Sequence, residues 1–516
     1  MKSVSGDCPR MGTVPKTRPP TVPKTGTPDS GLRRKAAPLL TAALLLTVLT
    51  RLAFILLPGV PLATKAIDSI GDSREYVALA RNLAQHQTFS RDSVPPYRPE
   101  IFRTPAYPLL LAGSFIVHRS SFIVLALVVQ LLLSLATVWL TWKLALELEL
   151  TPTTAAAAAL LVAFSPNLAF LSSKLISETL FAPLLLVCLL LLNRFRLAGR
   201  VPDLIAAGVC SGLLVLTRPI ATFFPVLIAI YILWLGVRKT GDSPSERLRP
   251  TRRGTVPVFL RNWQLGIRNS VLLLACASVV VAPWVIRNGT KTGRYIISTA
   301  SEHNIYLYDA ATVLAAQKGI TIPQARDTMM AEATAKFGAI DTTDEATMWQ
   351  KLAAVARPHF FGKPALAVPV WLFGVFADFL NPISPGPLLI HAGSSPAPGS
   401  ANLLQSSLGL LAKGRVVEAF GTAWRVRVGG APLFILVVLA LAALFNLVLI
   451  WFGLASLFLR RSRSLLWLLL PILYFTFLTG TVGDARFRAP IEPLLCLFAA
   501  ISFTCHEKTA AALNRE

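Results

Sequence analysis

The sequence predicts an all-α polytopic membrane protein, and three observations lead there. The chain has 516 residues, of which 54% are hydrophobic and only 15% charged, with a mean hydropathy of +0.59, too apolar for soluble domains of this length. Several apolar runs reach the roughly 20 residues that cross a hydrocarbon core about 30 Å thick. The basic residues behind the net charge of +24 cluster beside those runs. Positive-inside topology accounts for them, and no nucleic-acid partner is expected. A transmembrane barrel would instead alternate apolar and polar residues in strands of about ten.

Residues 1–35 are rich in Pro, Thr, Lys and Arg without periodicity and read as a disordered basic cytoplasmic tail. The first apolar run, 37–58, exceeds a signal-peptide core and lacks a clear small-residue cleavage site, so it reads as a retained helix. With the tail inside, 59–120 is an outer loop with juxtamembrane helices, and the next helix, 121–142, returns near Lys143. Helices at 153–171 and 176–193 place the Ser172–Ser177 turn outside and Arg194, Arg196 and Arg200 inside. Helices at 203–217 and 219–236 turn at Thr217-Arg218-Pro219 outside and lead to a basic inner loop, 238–268. A helix at 270–286 exits and closes an N-terminal transmembrane module, 36–287, expected to be catalytic.

Residues 288–430 form an outer segment with helical patches, and within it Pro364 to Leu380 is apolar. If that piece spanned alone, Arg460-Arg461-Ser462-Arg463 would fall outside, so a re-entrant or interfacial element is expected. C-terminal helices at 432–458, 464–479 and 489–504 complete a set of about ten spans, or eleven to twelve if further apolar pieces cross. Residues 506–516 are a cytoplasmic tail. Cys188, Cys210, Cys276 and Cys496 lie inside apolar segments, Cys8 and Cys505 near the ends, with neither metal spacing nor a disulfide framework.

This topology brings Asp72, Arg74, Glu75, Lys174, Glu178, Arg218, Arg287, Arg486 and Arg488 to one outer surface. Positive-inside statistics predict few arginines there, so the exceptions want a cause. Guanidinium forks bind phosphate oxygens bidentately, which would suit a phosphate-bearing ligand with a lipid tail. Gly71-Asp72-Ser73-Arg74-Glu75 also reads as a helix start, with Asp72 as N-cap and Glu75 three residues on. Asp68 is the rival acidic residue. Arg103-Thr104-Pro105-Ala106-Tyr107-Pro108 reads as a stiff, extended lead into the next apolar stretch, or as a loop anchor with Tyr107 at the lipid interface. Glu178 opens a helix, with Lys174 near enough to be its cation. Arg218 and the Arg486-Phe487-Arg488 run read either as site cations or as headgroup anchors, and Asp484 could neutralise one of the latter pair.

These stretches, with Tyr76 and Leu79-Ala80-Arg81-Asn82-Leu83, Ser177-Glu178, Leu216-Thr217-Arg218-Pro219, Pro283-Trp284-Val285-Ile286-Arg287-Asn288 and Arg486-Phe487-Arg488-Ala489-Pro490, resemble the GT-C membrane glycosyltransferases over roughly 37–505. The likeness is to bacterial relatives of the protein O-mannosyltransferases and of the aminoarabinose transferase that modifies lipid A. It implies a GT-C-type helical bundle in the plasma (inner) membrane, with its active site on the extracytoplasmic or periplasmic face. A polyprenyl-phosphate sugar would be the donor and a lipid, glycan or protein hydroxyl the acceptor, with inversion at the sugar carbon. Asp72 would be the base. Arg103, Arg218 and Arg486 would bind the donor phosphate, Glu178 would orient the acceptor or hold Lys174, and Tyr76, Tyr107, Lys174 and Arg488 would line the substrates. One departure is that the first loop has a single acid at Gly71-Asp72-Ser73, where the mannosyltransferases proper carry adjacent acids. No cofactor is implied with certainty, and carboxylates alone do not specify a divalent ion. The alternative is a transporter or flippase for a lipid-linked anion. A third reading makes 288–430 a scaffold for partner proteins. Neither sugar nor acceptor is named by the sequence.

Overall fold

The computed structural model describes residues 30–68, 70–237, 263–391, 431–459, 465–481 and 483–513, with isolated positions between 391 and 431. The N-terminal tail up to residue 29, most of the basic 238–268 loop and most of 392–430 lie outside the described residues.

The first span, α1 (Ser30–Leu56), leads to α2 (Leu62–Ile67), α3 (Gly71–His86) and α4 (Ala106–Val117), which make up the long first loop. The bundle continues with α5 (Phe122–Glu147), α6 (Pro152–Phe164), α7 (Pro166–Leu171), α8 (Glu178–Ala198), α9 (Val201–Thr217), α10 (Phe224–Val237) and α11 (Trp263–Thr292). A second element, called outer for its place beyond the apolar spans, comprises α12 (Ala300–Asn304), a π-helical turn at Ile305–Ala310, α13 (Ala311–Lys318), α14 (Ile322–Phe337) and α15 (Glu345–Phe361). Then follow α16 (Pro364–Leu380), α17 (Pro385–His391), α18 (Leu433–Leu457), α19 (Leu469–Thr479) and α20 (Glu492–Leu513). There is no strand among the described residues.

Six helices are long and apolar enough to cross a membrane, and the protein is a multi-pass membrane protein. Shorter apolar helices at Pro152–Phe164, Val201–Thr217, Leu465–Thr479 and Glu492–Thr504 lie where the sequence placed its other spans. The helix expected over 153–171 is two helices. Ser165 caps the second through Leu168 N at 3.2 Å, and Pro166 supplies no N–H to continue the first. The apolar 364–380 piece is α16, bent 98° from α15, and Trp371 Nε1 donates to Phe477 O at 2.8 Å.

The main core gathers side chains from α5, α8, α9, α10, α19 and α20, among them Phe181, Leu185, Leu189, Leu214, Phe224, Phe475 and Leu497. Helices α9 and α11 approach closely through Gly208 and Gly212, four residues apart on one face. A Cβ at Gly208 would lie 2.7 Å from Cys276 Cβ, and one at Gly212 would lie 2.8 Å from Ala277 O and Val280 Cβ. Gly212→Val therefore overpacks this seam and is expected to cost about 1–3 kcal/mol, read as a lower unfolding temperature in detergent. Gly113→Ala, with nothing within 4 Å of its Cβ, serves as the neutral comparison. The second outer element has its own core, built on Tyr306, Leu314, Met329, Leu352 and Val355.

Because successive spans alternate in direction, one end of the bundle collects the end of α1, the starts of α5 and α8, the end of α9 and the start of α20. The opposite end holds Arg194, paired with Glu147 at 2.5 Å.

Candidate active site

At the collecting end, five elements bring ionised side chains together. Asp72 lies in the first turn of α3, whose N-cap is Ile70 with no side-chain cap. The expected capping role therefore fails, since the Asp72 carboxylate is taken by cations. Its Oδ1 accepts from Arg103 Nη2 at 2.8 Å, and its Oδ2 lies 3.1 Å from Arg486 Nη1. Glu75, one turn along α3, likewise caps nothing. It accepts from Arg103 Nε at 2.6 Å and from Arg91 Nη1 at 3.0 Å. Glu178 opens α8 and meets Arg218 Nη1 at 2.5 Å, with Arg486 Nε 4.0 Å away.

Burial alone would raise the Asp72 carboxyl. Arg486 and Arg103, with Arg218 behind them, outweigh it and hold it well below the usual carboxylate range. Arg103 is only 15% exposed and its guanidinium lies over the rings of Phe102 at 4.4 Å and Tyr76 at 5.1 Å. Such a flanked, carboxylate-bound arginine is fixed in place, unlike a headgroup anchor. Arg218 is also mostly covered and lies over Phe487 at 5.9 Å, so snorkelling does not describe it. Asp484 makes no close ion pair with either neighbouring arginine, though its charge adds to the field that holds the Arg486 guanidinium ionised. It caps Arg486 N at 2.9 Å.

Behind this layer, Tyr76 Oη donates to Ser177 Oγ at 3.1 Å, and the Tyr76 ring packs edge-on against Tyr107 at 4.9 Å. Tyr107 is fully buried, not at a lipid interface, and donates to Gln130 Oε1 at 2.8 Å. Gln130 on α5 also accepts from Thr179 Oγ1 at 2.8 Å and donates to Ser172 O at 3.0 Å and Lys174 O at 2.8 Å.

Two expected contacts are absent. Lys174 does not reach Glu178. It points away to Lys65 O at 2.7 Å and to His391 Nδ1, and burial, with Lys65 adding to it, pushes its ammonium down to about 6. Arg488 turns into the bundle, where it meets Glu492 at 3.2 Å and donates to the carbonyls of Asp378, Phe379, Asn381 and Pro382. Asp68, the rival acid, makes a surface pair with Arg74 at 2.8 Å and does not join the cluster. Arg287 donates to Glu100 O at 2.6 Å and Phe89 O at 3.1 Å, bracing the first loop.

The sequence missed Gln130, an ordinary polar residue inside an apolar span. It also missed Arg51, which lies deep in α1, donates to Val162 O at 3.3 Å and lines a cavity with Ser134, Thr137, Glu178, Thr179 and Ala489. An arginine in an apolar run was the available signal. Among the described residues no three His, Cys, Asp or Glu side chains gather as a metal site.

The fold and this cluster define a polytopic helical membrane protein with an ion-paired cleft of guanidiniums and carboxylates at one end of its bundle. Residues 102–245 match the family described as dolichyl-phosphate-mannose-protein mannosyltransferase, a stretch that holds part of the motifs on which the resemblance to GT-C membrane glycosyltransferases rests. That stretch carries Arg103, Tyr107, Lys174, Glu178 and Arg218. No curated protein matches the chain. Among solved structures, the Archaeoglobus fulgidus oligosaccharyltransferase in the apo form is similar at 16% identity and a TM-score of 0.49, over 93% of this chain and 52% of that one. The archaeal oligosaccharyltransferase AglB of the same organism, in complex with an inhibitory peptide and a dolichol-phosphate, is similar at 14% identity and a TM-score of 0.43, over 93% and 51%. The chain spans about half the length of these structures.

Proposed function

We propose that the protein is an inverting membrane glycosyltransferase that moves a sugar from a polyprenyl-phosphate donor to an acceptor hydroxyl on the extracytoplasmic face of the plasma membrane. The observation that carries this reading is a carboxylate, Asp72, held between two arginines, Arg103 and Arg486, at the mouth of an apolar bundle. Lipid phosphate is already a competent leaving group, so no general acid is needed. Guanidiniums at its oxygens stabilise the charge that grows as the glycosidic bond breaks.

In this reading the arginines serve two masters in sequence. Without donor they neutralise Asp72 and Glu178; an arriving phosphate competes for the same N–H groups. As Arg103 and Arg486 turn to the phosphate, Asp72 loses its strongest stabilisers and becomes a better proton acceptor. The acceptor oxygen bonds to the sugar carbon on the face opposite the departing phosphate, and its proton passes to Asp72. Glu178 holds Arg218 and orients it toward the phosphate. Tyr76, whose hydroxyl bonds Ser177, shapes the floor of the cleft.

Arg103→Ala is expected to weaken binding of undecaprenyl phosphate to the purified full-length protein and to lower turnover by roughly 10²-fold. Unchanged binding and turnover would remove Arg103 from the phosphate site. Reconstitution with a radiolabelled polyprenyl-phosphate sugar tests the reaction itself. Label appearing on an acceptor in membrane extracts supports transfer, whereas movement of the intact lipid across the bilayer without transfer favours a flippase.

A further inference from the structure

Outside the cleft, Arg91 pairs with three carboxylates, more than any other cation among the described residues. It bonds Glu75 Oε1 at 3.0 Å and Glu345 Oε2 at 2.6 Å, and it pairs with Glu100. Each contact leads somewhere different. Glu75 grips the Arg103 guanidinium at 2.6 Å. Glu100 accepts from the Arg103 backbone N–H at 3.2 Å and also from Phe102 N. Glu345 stands in the first turn of α15, in the second outer helical element, 254 positions away in sequence. Arg91 therefore shares the two carboxylates that engage the side chain and the main chain of Arg103, and links them to that element.

The contacts continue without a gap. Glu345, Arg91, Glu75, Arg103, Asp72, Arg486, Glu178 and Arg218 form one row in which acid and base alternate. A row of this kind has a property that packing alone lacks. Each member's grip on one neighbour competes with its grip on the other, so removing a charge has effects that change sign from one position to the next.

We propose that Arg91 is a positioning residue for Arg103, and that Glu345 makes the outer helical element part of the cleft by setting how firmly Glu75 holds that arginine. This deepens the proposed transferase reading and rests on it for its consequence in catalysis. With Arg91 neutralised, Glu75 has only Arg103 to satisfy it, so Arg103 is held harder and yields less to a phosphate. With Glu345 neutralised, Arg91 turns more fully to Glu75, and Arg103 is released.

Arginine-selective labelling of the full-length protein with phenylglyoxal, followed by peptide mass spectrometry at Arg103, reads this grip with no substrate present. Arg91→Met is expected to slow labelling of Arg103 about threefold, Glu345→Gln to speed it by a similar factor, and Arg91→Lys to stay near the parent rate, each factor corresponding to about 0.65 kcal/mol at RT of about 0.59 kcal/mol. Arg200→Ala, at the far end of the bundle, leaves the rate unchanged. Shifts of the same sign for Arg91→Met and Glu345→Gln, as a merely structural role would give, overturn the proposal, and so does the absence of any shift. Repeating the labelling with undecaprenyl phosphate separates the two readings. Protection of Arg103 by the lipid supports the phosphate site, and failure to protect overturns that site while the substrate-free rates still decide the role of Arg91.

Discussion

Asp72→Asn is expected to reduce sugar transfer by roughly 10²–10⁴-fold, the usual contribution of a positioned general base, without loss of binding to undecaprenyl phosphate. The substitution keeps the shape of the side chain and removes the charge that competes with phosphate for Arg103 and Arg486. Affinity for the lipid phosphate should therefore hold or rise while turnover collapses. That divergence separates loss of a base from loss of the fold, and turnover near the parent value would sink the assignment. Asp68→Asn, which breaks only a surface pair with Arg74, should leave transfer nearly unaltered. A pH dependence follows with a definite sign. In the free protein Asp72 is held well below the usual carboxylate range, so it stays ionised at any working pH. Once phosphate draws the arginines away its pKa rises, so the acid limb of kcat lies at higher pH than that of kcat/KM. Coincident limbs would contradict the exchange of partners.

Arg488→Met is expected to be among the most damaging single changes to stability. Arg488 and Glu492 are each 1% exposed at their side chains. Glu492 also accepts from Asn167 Nδ2 at 2.8 Å and from Ser165, so the pair fastens α7 and α20 together. On the other side Arg488 serves carbonyls in the last turn of α16 and just beyond it. Removing one partner of a buried, hydrogen-bonded ion pair costs about 3–5 kcal/mol because the other charge is left uncompensated. Thermal unfolding in detergent should show a large drop for Arg488→Met and for Glu492→Gln. The double variant should lose much less than the sum, since the two changes remove one shared interaction. Additive losses, or an unfolding temperature equal to the parent's, would mean the pair does not hold the bundle.

The helical bundle was legible because apolar length and flanking charge are local properties of sequence. So was the gathering of Asp72, Arg103, Glu178, Arg218 and Arg486, since topology alone sorts helix ends to one face. Direction was harder to read. Arg486 and Arg488 are two residues apart on one short 3-10 turn, yet one enters the cleft and the other enters the core. Two steps around a turn of about three residues send the two side chains in different directions, and neither composition nor spacing fixes which one enters the cleft. Lys174 shows the same limit, because its proximity to Glu178 in sequence said nothing of the acceptors waiting on α17 and α2. The Glu345 contact had no sequence signal at all, being a long-range pairing between two outer elements.

Gln130 bears on how the cleft can open. Both amide hydrogens and both directions of its oxygen are committed, joining α4, α5, the turn before α8 and the first turn of α8. An amide with nothing left to trade makes that wall stiff, since a shift of any attached piece would strand a polar atom in a dry interior. The Ala485–Arg488 turn is pinned as well, through Arg488 and through Asn167 Nδ2 on Ala485 O at 3.0 Å, so motion that admits a lipid and releases a product is expected in the outer helical element. Substitutions that alter rates of opening are then expected on that element and not on the wall that Gln130 fixes.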